Sequence, residues 1–326
     1  MKNTRTAISG IILAAGYGER MLPLTEQVPK PLLPILGTPL FQLIVKKLMR
    51  HGAAEIHCNI FHLSDKIEAF ASRHAWPVRL YREEELLGTG GGIGNMRDGV
   101  SGADYILLHN GDVLSDIPYE PAIERHRKQK ALVTLVLLPS GPRANVAVDT
   151  TNEVIAIGES AEKLGCGANL LGYTGLAVLS PDSLPFFPRG KKEQFVTILT
   201  DMMRKKPGSV IGWNAAEAKI PYAWGDAGSP AGYLGIHRAI LVDGVHFDPD
   251  METPLDPIHI GEGADVDPAA RCAGFCAIGR RAVVEPRARL ENCVVLDDTI
   301  VAMDTVHSNE ILFPGGILKA AGGSRG

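Results

Sequence analysis

From Ile258 onward the chain repeats every six residues. Ile260, Val266, Cys272, Ile278, Val284, Leu290 and Leu296 are all apolar. Two positions earlier runs a second ladder, Ile258, Ala264, Ala270, Cys276, Ala282, Ala288, Val294 and Ile300, most of whose members are small. One bulky and one small position per hexad is the signature of a parallel β-helix, in which each hexad forms one side of a triangular coil. A coil takes about eighteen residues, so the tail predicts a prism of about three coils. The Pro- and Asp-rich stretch 243–257 places the boundary, with one domain over residues 1–243 and a second over 244–326.

The first 243 residues read differently. Ile8 to Ala14 is a continuous apolar run without alternation, the pattern of a strand buried on both faces of a parallel sheet. Leu40 to Arg50 has helical periodicity and ends at His51-Gly52. Strand patterns follow at Ala54–Ile60, Val78–Tyr81, Tyr105–Leu108 and Leu132–Leu138, with helices over 64–72 (capped by Ser64-Asp65) and 121–130. A strand-rich stretch from Val146 to Leu179 leads to a helix over 195–206, short strands at 210–215 and 219–224, and a closing helix over 231–242. Alternation at this spacing predicts an α/β fold with a Rossmann-like, mostly parallel sheet.

Composition narrows the function. A net charge of −4 leaves no basic excess for nucleic acid. No run reaches membrane-helix length and no targeting signal is visible, so a cytoplasmic protein is expected. Cys58, Cys166, Cys272, Cys276 and Cys293 are odd in number, scattered and never spaced C-x-x-C, which argues for reduced thiols and against a zinc site or a disulfide framework.

The chemistry concentrates in LAAGYGERMLPLTEQVPKPLLPI, Leu13 to Ile35. A glycine turn, Gly16 and Gly18, directly follows the first strand, and Arg20 follows the turn. Lys30 is fixed between Pro29 and Pro31, which restrict the backbone on both sides. Exposed backbone N–H groups, an arginine and a rigidly presented lysine suit a polyphosphate. Met21 stands where a dinucleotide fingerprint has its third glycine, and no G-K-[ST] follows.

This stretch resembles the signature of the sugar-1-phosphate nucleotidyltransferases, the nucleotide-sugar pyrophosphorylases. The resemblance continues through Leu87-Gly88-Thr89-Gly90-Gly91-Gly92-Ile93, Asn110-Gly111-Asp112, Tyr173-Thr174-Gly175 and Trp224-Gly225-Asp226-Ala227-Gly228-Ser229-Pro230. The hexad tail matches the left-handed β-helix of several members, and the overall pattern is most similar to mannose-1-phosphate guanylyltransferases and related heptose enzymes. The resemblance implies that a nucleoside triphosphate and a sugar 1-phosphate bind together and that the sugar phosphate attacks the α-phosphorus in line. It implies nucleotide binding by Leu13, Ala14, Ala15, Gly16, Gly18, Gly88 and Thr89, a grip of Arg20 on the β- and γ-phosphates, and neutralisation of the α-phosphate by Lys30. It makes Asp112 a catalytic group and, with Asp226, a Mg²⁺ ligand. It places Asn110, Gly111, Glu159, Lys163, Thr174 and Gly175 on the sugar-phosphate side. The usual Glu-Lys-Pro block is replaced by Glu159-Ser160-Ala161-Glu162-Lys163-Leu164, which leaves Lys163 equally readable as half of a solvated pair.

Glu83, five residues before Gly88, occupies the base-reading position implied by the family. A carboxylate only accepts hydrogen bonds and matches guanine N1–H and N2–H better than uracil N3–H, which favours GTP. UTP or dTTP use, a solvated Glu83-Glu84-Glu85 run, and a catalytically silent sugar-nucleotide regulator are the alternatives. The tail reads either as an acyltransferase domain or as a packing and homo-oligomerisation module. Its shortness, and the lack of an evident partner for His259 and His307, favour packing.

Overall fold

The computed structural model describes residues 6–139, 144–164, 169–219, 221–251 and 254–320. Cys166 lies outside them; Cys58, Cys272, Cys276 and Cys293 are free thiols. The chain forms two compact units, the first of Met1–Gly16, Ile44–Gly111 and Ile117–Pro221, the second of Tyr17–Leu43, Asp112–Asp116 and Tyr222–Gly326.

The first unit is built on one nine-stranded sheet. Strand Ile8–Leu13 lies inside it, parallel to Ala53–Ile60 on one side and Tyr105–Asn110 on the other, with Val78–Arg82 parallel beyond Ala53–Ile60. Asn169–Leu179 then runs antiparallel to Tyr105–Asn110. It pairs with Ala144–Val148, and also with Val133–Leu138, which carries Val210–Asn214 parallel to itself. The expected strand at 219–224 appears instead as Trp224–Asp226, after a 3-10 turn over Ala215–Ala218. Helix Ser64–Ala71 has Leu63 at its N-cap without a side-chain bond, so Ser64 opens the helix rather than capping it.

The glycine-rich block after Leu87 is a helix, Gly88–Val100, although six of its thirteen residues are glycine. Its glycines allow the backbone of 188–194 to lie directly against it. A Cβ at Gly91 or Gly94 would strike the carbonyl of Lys191 or Pro188. Glu193 O accepts the otherwise unpaired N–H groups of Gly90 and Gly91 at 2.9 and 3.1 Å. Ile93 and Met96 point from this helix into the main core with Ile11, Leu108, Leu135, Phe187 and Ile198.

In the second unit, strand Val113–Ser115 pairs antiparallel with Trp224–Asp226, and helix Pro230–Leu241 follows. The C-terminal strands stack in parallel. Ile258, Ile260 and Val266 pair with Cys276, Ile278 and Val284, an offset of eighteen residues. The next layer is one residue shorter: Cys276, Ile278 and Val284 pair with Cys293, Val295 and Val301. The two ladders therefore slip. Cys293 and Val295 enter the core cluster where Val294 and Leu296 are expected, and Thr299 is buried while Ile300 is 68 % exposed. The cause is the strand Arg289–Val295, where Asn292 alone opposes the Gly274-Phe275 pair of Arg271–Ile278 and turns the chain at φ 53°. His307 has a partner after all, with Nδ1 2.8 Å from Oε2 of buried Glu310.

Several histidines are locked away from water. Burial lowers His109 to about 3 and His126 and His237 to about 4, from an ordinary 6.5. Nε2 of His109 and of His126 has no hydrogen-bond partner. On acidification the unfolded chain binds these protons first, so the associated stability is present above pH 6.5 and is lost as pH falls toward 4. Calorimetric melts at stepped pH should show a midpoint falling steadily below neutrality, with a shallower slope in His126→Gln. A midpoint flat down to about pH 5 contradicts this account.

Candidate active site

In the first unit, the parallel strands deliver their carboxyl ends to a hydrogen-bonded chain. Asn59, near the end of Ala53–Ile60 and paired in register with Leu13, accepts the Ala14 N–H on Oδ1 at 2.9 Å. Its Nδ2 donates to Glu83 Oε1 at 2.8 Å, and Glu83 Oε2 accepts the Leu87 N–H at 3.0 Å. Glu83 is thus no part of a solvated charge run. It is 5 % exposed, while Glu84 and Glu85 are exposed. Burial raises its carboxyl above the ordinary value, and the Leu87 and Asn59 donors pull it back. Asn59 is the residue that sequence reasoning missed. The available signal was its place at the end of a parallel strand beside the glycine-turn strand.

Ala15 is buried and Gly16 is exposed, with open space where a side chain would stand. Gly111 N–H donates to Leu13 O at 2.8 Å, joining two strand ends, and Asn110 closes its strand beside them. Gly88 opens its helix at φ 71°. Thr89 Oγ1 accepts the Phe195 N–H at 2.9 Å and lies 3.3 Å from Gln194 Oε1, so this hydroxyl ties down the 193–195 segment.

The residues expected on the sugar side stand in different local settings. Glu159 and Lys163 make an i,i+4 pair at 3.9 Å on the four-residue helix Glu159–Glu162 and its cap, with side chains 90 % and 79 % exposed. Thr174 is buried. Its hydroxyl donates to Val136 O at 2.8 Å and accepts the Leu176 N–H at 3.2 Å. Gly175, at φ 83°, lies where the pairing with Val133–Leu138 shifts register.

The second unit gathers the charged groups. Gly18, at φ 75°, turns the chain, and its carbonyl accepts from Thr25 Oγ1 at 3.0 Å. Arg20 follows on a 3-10 turn, Glu19–Met21, and Lys30 opens another, Lys30–Leu32. Lys30 Nζ stands 3.6 Å from Asp112 Oδ2, and Arg20 Nη2 3.8 Å from Asp226 Oδ2. The lysine side chain is 14 % exposed and the arginine 52 %. Asp226 is no helix cap; that role belongs to Ser229, whose hydroxyl accepts the Gly232 N–H. The two aspartates are brought together by the pairing Val113↔Asp226 and by the Ala227 N–H bond to Asp112 O at 2.8 Å.

Gly228 marks where these groups converge. A Cβ there would lie 2.6 Å from Arg20 Nη2, 2.6 Å from Asp226 Oδ1 and 2.9 Å from Asp112 Oδ2. The absent side chain leaves a notch faced by two carboxylate oxygens. Desolvation raises the Asp112 carboxyl, Lys30 opposes this, and the Asp226 charge adds to it. Two carboxylate oxygens facing one notch are a donor set suited to a hard divalent cation, which keeps water and phosphate oxygens as its remaining ligands.

Removing the Glu83 carboxylate leaves buried Leu87 N–H and Asn59 donors unpaired, so Glu83→Ala should cost about 3 kcal/mol. Urea unfolding measures it against Glu84→Ala, whose exposed side chain should change stability by no more than about 0.5 kcal/mol. Equal, small losses in both variants would remove Glu83 from its bracing role.

The nucleotidyl transferase family model matches residues 9–160. A mannose-1-phosphate guanylyltransferase of Mycobacterium tuberculosis is 31% identical over 304 residues, covering 89% of this chain and 80% of that protein. A UTP–glucose-1-phosphate uridylyltransferase of Synechocystis is 23% identical, covering 89% and 83% respectively. The structure of HddC from Yersinia pseudotuberculosis complexed with GMP-PN superposes with a TM-score of 0.56 at 23% identity, covering 70% of this chain and 97% of that one. At that identity it speaks for the α/β nucleotidyltransferase fold.

Proposed function

The chain belongs to the nucleotidyl transferase family, and we propose that it transfers GMP from GTP to a mannose- or heptose-type sugar 1-phosphate, forming the GDP-sugar and pyrophosphate. The observation that carries this reading is the convergence of Asp112, Asp226 and Arg20 on the notch at Gly228, with Lys30 beside Asp112. A sugar phosphate oxygen forms the new bond to the α-phosphorus. The α–β bridging bond breaks, and its electron pair leaves with pyrophosphate. Little covalent work falls to the protein, so positioning and charge neutralisation dominate.

Arg20 binds the β- and γ-phosphates, and its exposure leaves it free to move onto them. Lys30, confined by its flanking prolines, neutralises the α-phosphate as charge builds there. Asp112 and Asp226 would hold Mg²⁺, which when bound screens the phosphate oxygens. The backbone from Leu13 to Gly18 and at Gly88 takes the nucleotide. Each Glu83 oxygen uses one lone pair within the protein, and a second pair on each remains to accept guanine N1–H and N2–H. The presence of Arg20, Lys30, Asp112 and Asp226 together favours turnover over a silent sugar-nucleotide binder.

We read residues 1–243 as the catalytic domain and 244–326 as a left-handed parallel β-helix. The parallel offsets of eighteen and seventeen residues and the buried ladder from Cys276 to Val301 support the latter. The scattered free thiols support a cytoplasmic setting.

Pyrophosphate release should be measured with GTP, UTP and dTTP against mannose, glucose and heptose 1-phosphates in Mg²⁺. Turnover with GTP is expected, and turnover confined to UTP or dTTP rejects the guanylyl assignment. Asp112→Asn should lower kcat by at least about a hundredfold with an unchanged melting midpoint. Full activity in that variant would take Asp112 out of the site.

A further inference from the structure

The segment that carries Arg20 and Lys30 has little regular structure of its own. Between Tyr17 and Leu43 it forms three 3-10 turns and a hairpin of two-residue strands, Pro34–Ile35 and Thr38–Pro39, before the helix that opens at Leu40. The hairpin turn is Leu36-Gly37, with φ of 46° and 80°. Two left-handed residues suit such a loop, but leucine in that conformation costs about 1 kcal/mol. A turn of this kind holds its shape only with outside support.

That support comes from the C-terminal strands and the helix beside them. Arg280 Nη2 donates to Gly37 O at 2.8 Å. The Arg280 backbone is fixed in turn, its N–H donating to Asp297 Oδ1 at 2.8 Å. Gly279 and Asp297 approach so closely that a Cβ at Gly279 would meet the Asp297 nitrogen at 2.5 Å. On the first strand of the hairpin, the Tyr233 hydroxyl donates to Pro34 O. Strand Gly316–Lys319 lies against the turn Leu24–Glu26, between Arg20 and Lys30 in sequence. The tail therefore touches the irregular segment on both sides of Lys30.

We propose that Arg280, set by Asp297, is a positioning residue for Lys30, and that the C-terminal stack is a brace for the phosphate-binding segment. The clamp on the Gly37 carbonyl holds the Leu36-Gly37 turn. The turn fixes the hairpin, and Pro31 and Pro34 carry that constraint stiffly back to Lys30, whose 3-10 turn is closed by the Leu33 N–H bond to Lys30 O at 3.0 Å. Lys30 then stands beside Asp112 without a rigid helix or strand beneath it. This inference rests on the reading of Lys30 as the α-phosphate group.

The experiment uses the full chain with Arg280→Ala, Arg280→Lys, Lys30→Ala and the Arg280→Ala/Lys30→Ala double variant. Amide exchange of Leu32, Leu33 and Leu40 should be about tenfold faster in Arg280→Ala, and partly restored in Arg280→Lys. With GTP and sugar 1-phosphate, Arg280→Ala should lower kcat about fivefold with KM within about twofold, and should cost nothing further in the Lys30→Ala background. Unchanged exchange in Arg280→Ala overturns the brace whatever the activity shows. Additive losses in the double variant overturn the link to Lys30. If the wild-type chain releases no pyrophosphate with any triphosphate, the transferase reading and the link to Lys30 fail together, and the exchange data still decide the brace.

Discussion

The structure depends on holding two carboxylates against each other. Asp112 and Asp226 come from segments far apart in sequence and face the same notch at Gly228. Like charges at this range are unfavourable, and desolvation makes them more so. Arg20 and Lys30 offset the repulsion, one opposite each aspartate. Any side chain at 228 would fill the notch. Ser229 caps the following helix, so Asp226 keeps its Oδ1 for the notch and the Gly228 N–H rather than for a helix end.

The two aspartates and the two cations are held by different means. The aspartates are placed by backbone pairing, through Val113–Ser115 against Trp224–Asp226. The cations sit on a segment whose conformation is set by turns, prolines and contacts with the tail. A stack of parallel strands with a dry core is a stiff support for such a segment. Its buried ladder from Cys276 to Leu312 supplies that stiffness. The surface pairs Arg281–Asp298 and Arg287–Asp304 repeat along the stack but are about 60 % exposed, so solvent screens them and they add little.

Ile8–Leu13, Tyr105–Asn110 and Val133–Leu138 were legible because each is an apolar run buried along most of its length. Leu40–Arg50 was legible for the converse reason, a one-sided apolar stripe. Gly88–Val100 escaped because its six glycines argue against a helix by propensity. Gly88, Gly90, Gly91 and Gly94 are there for the close approach of 188–194, Gly92 for that of Asn59, and Gly99 for that of His57 and Tyr81, none of which a local reading contains. The register of the stack slipped for a related reason. A single-residue shortening at Asn292 leaves the hexad nearly intact in sequence while moving the side chains from Cys293 to Val301 by one place. Glu83 and Asn59 divide similarly. The position of Glu83 before Gly88 was visible, but its burial and its bond to Asn59 come from neighbouring strands that are distant in sequence.

What the sequence determined alone is the set of chemical groups and their local presentation: the glycine turn, Arg20, a lysine stiffened by prolines, two aspartates in glycine-flanked turns, and a tail with a six-residue period. Each is encoded within a few neighbouring residues, where composition and backbone restriction act directly. Only the tertiary structure decided which carboxylate faces which cation, that Glu83 is braced rather than solvated, and that Arg280 reaches back to Gly37. Those facts depend on contacts across as many as 243 residues of chain, and such contacts arise only when separate elements pack.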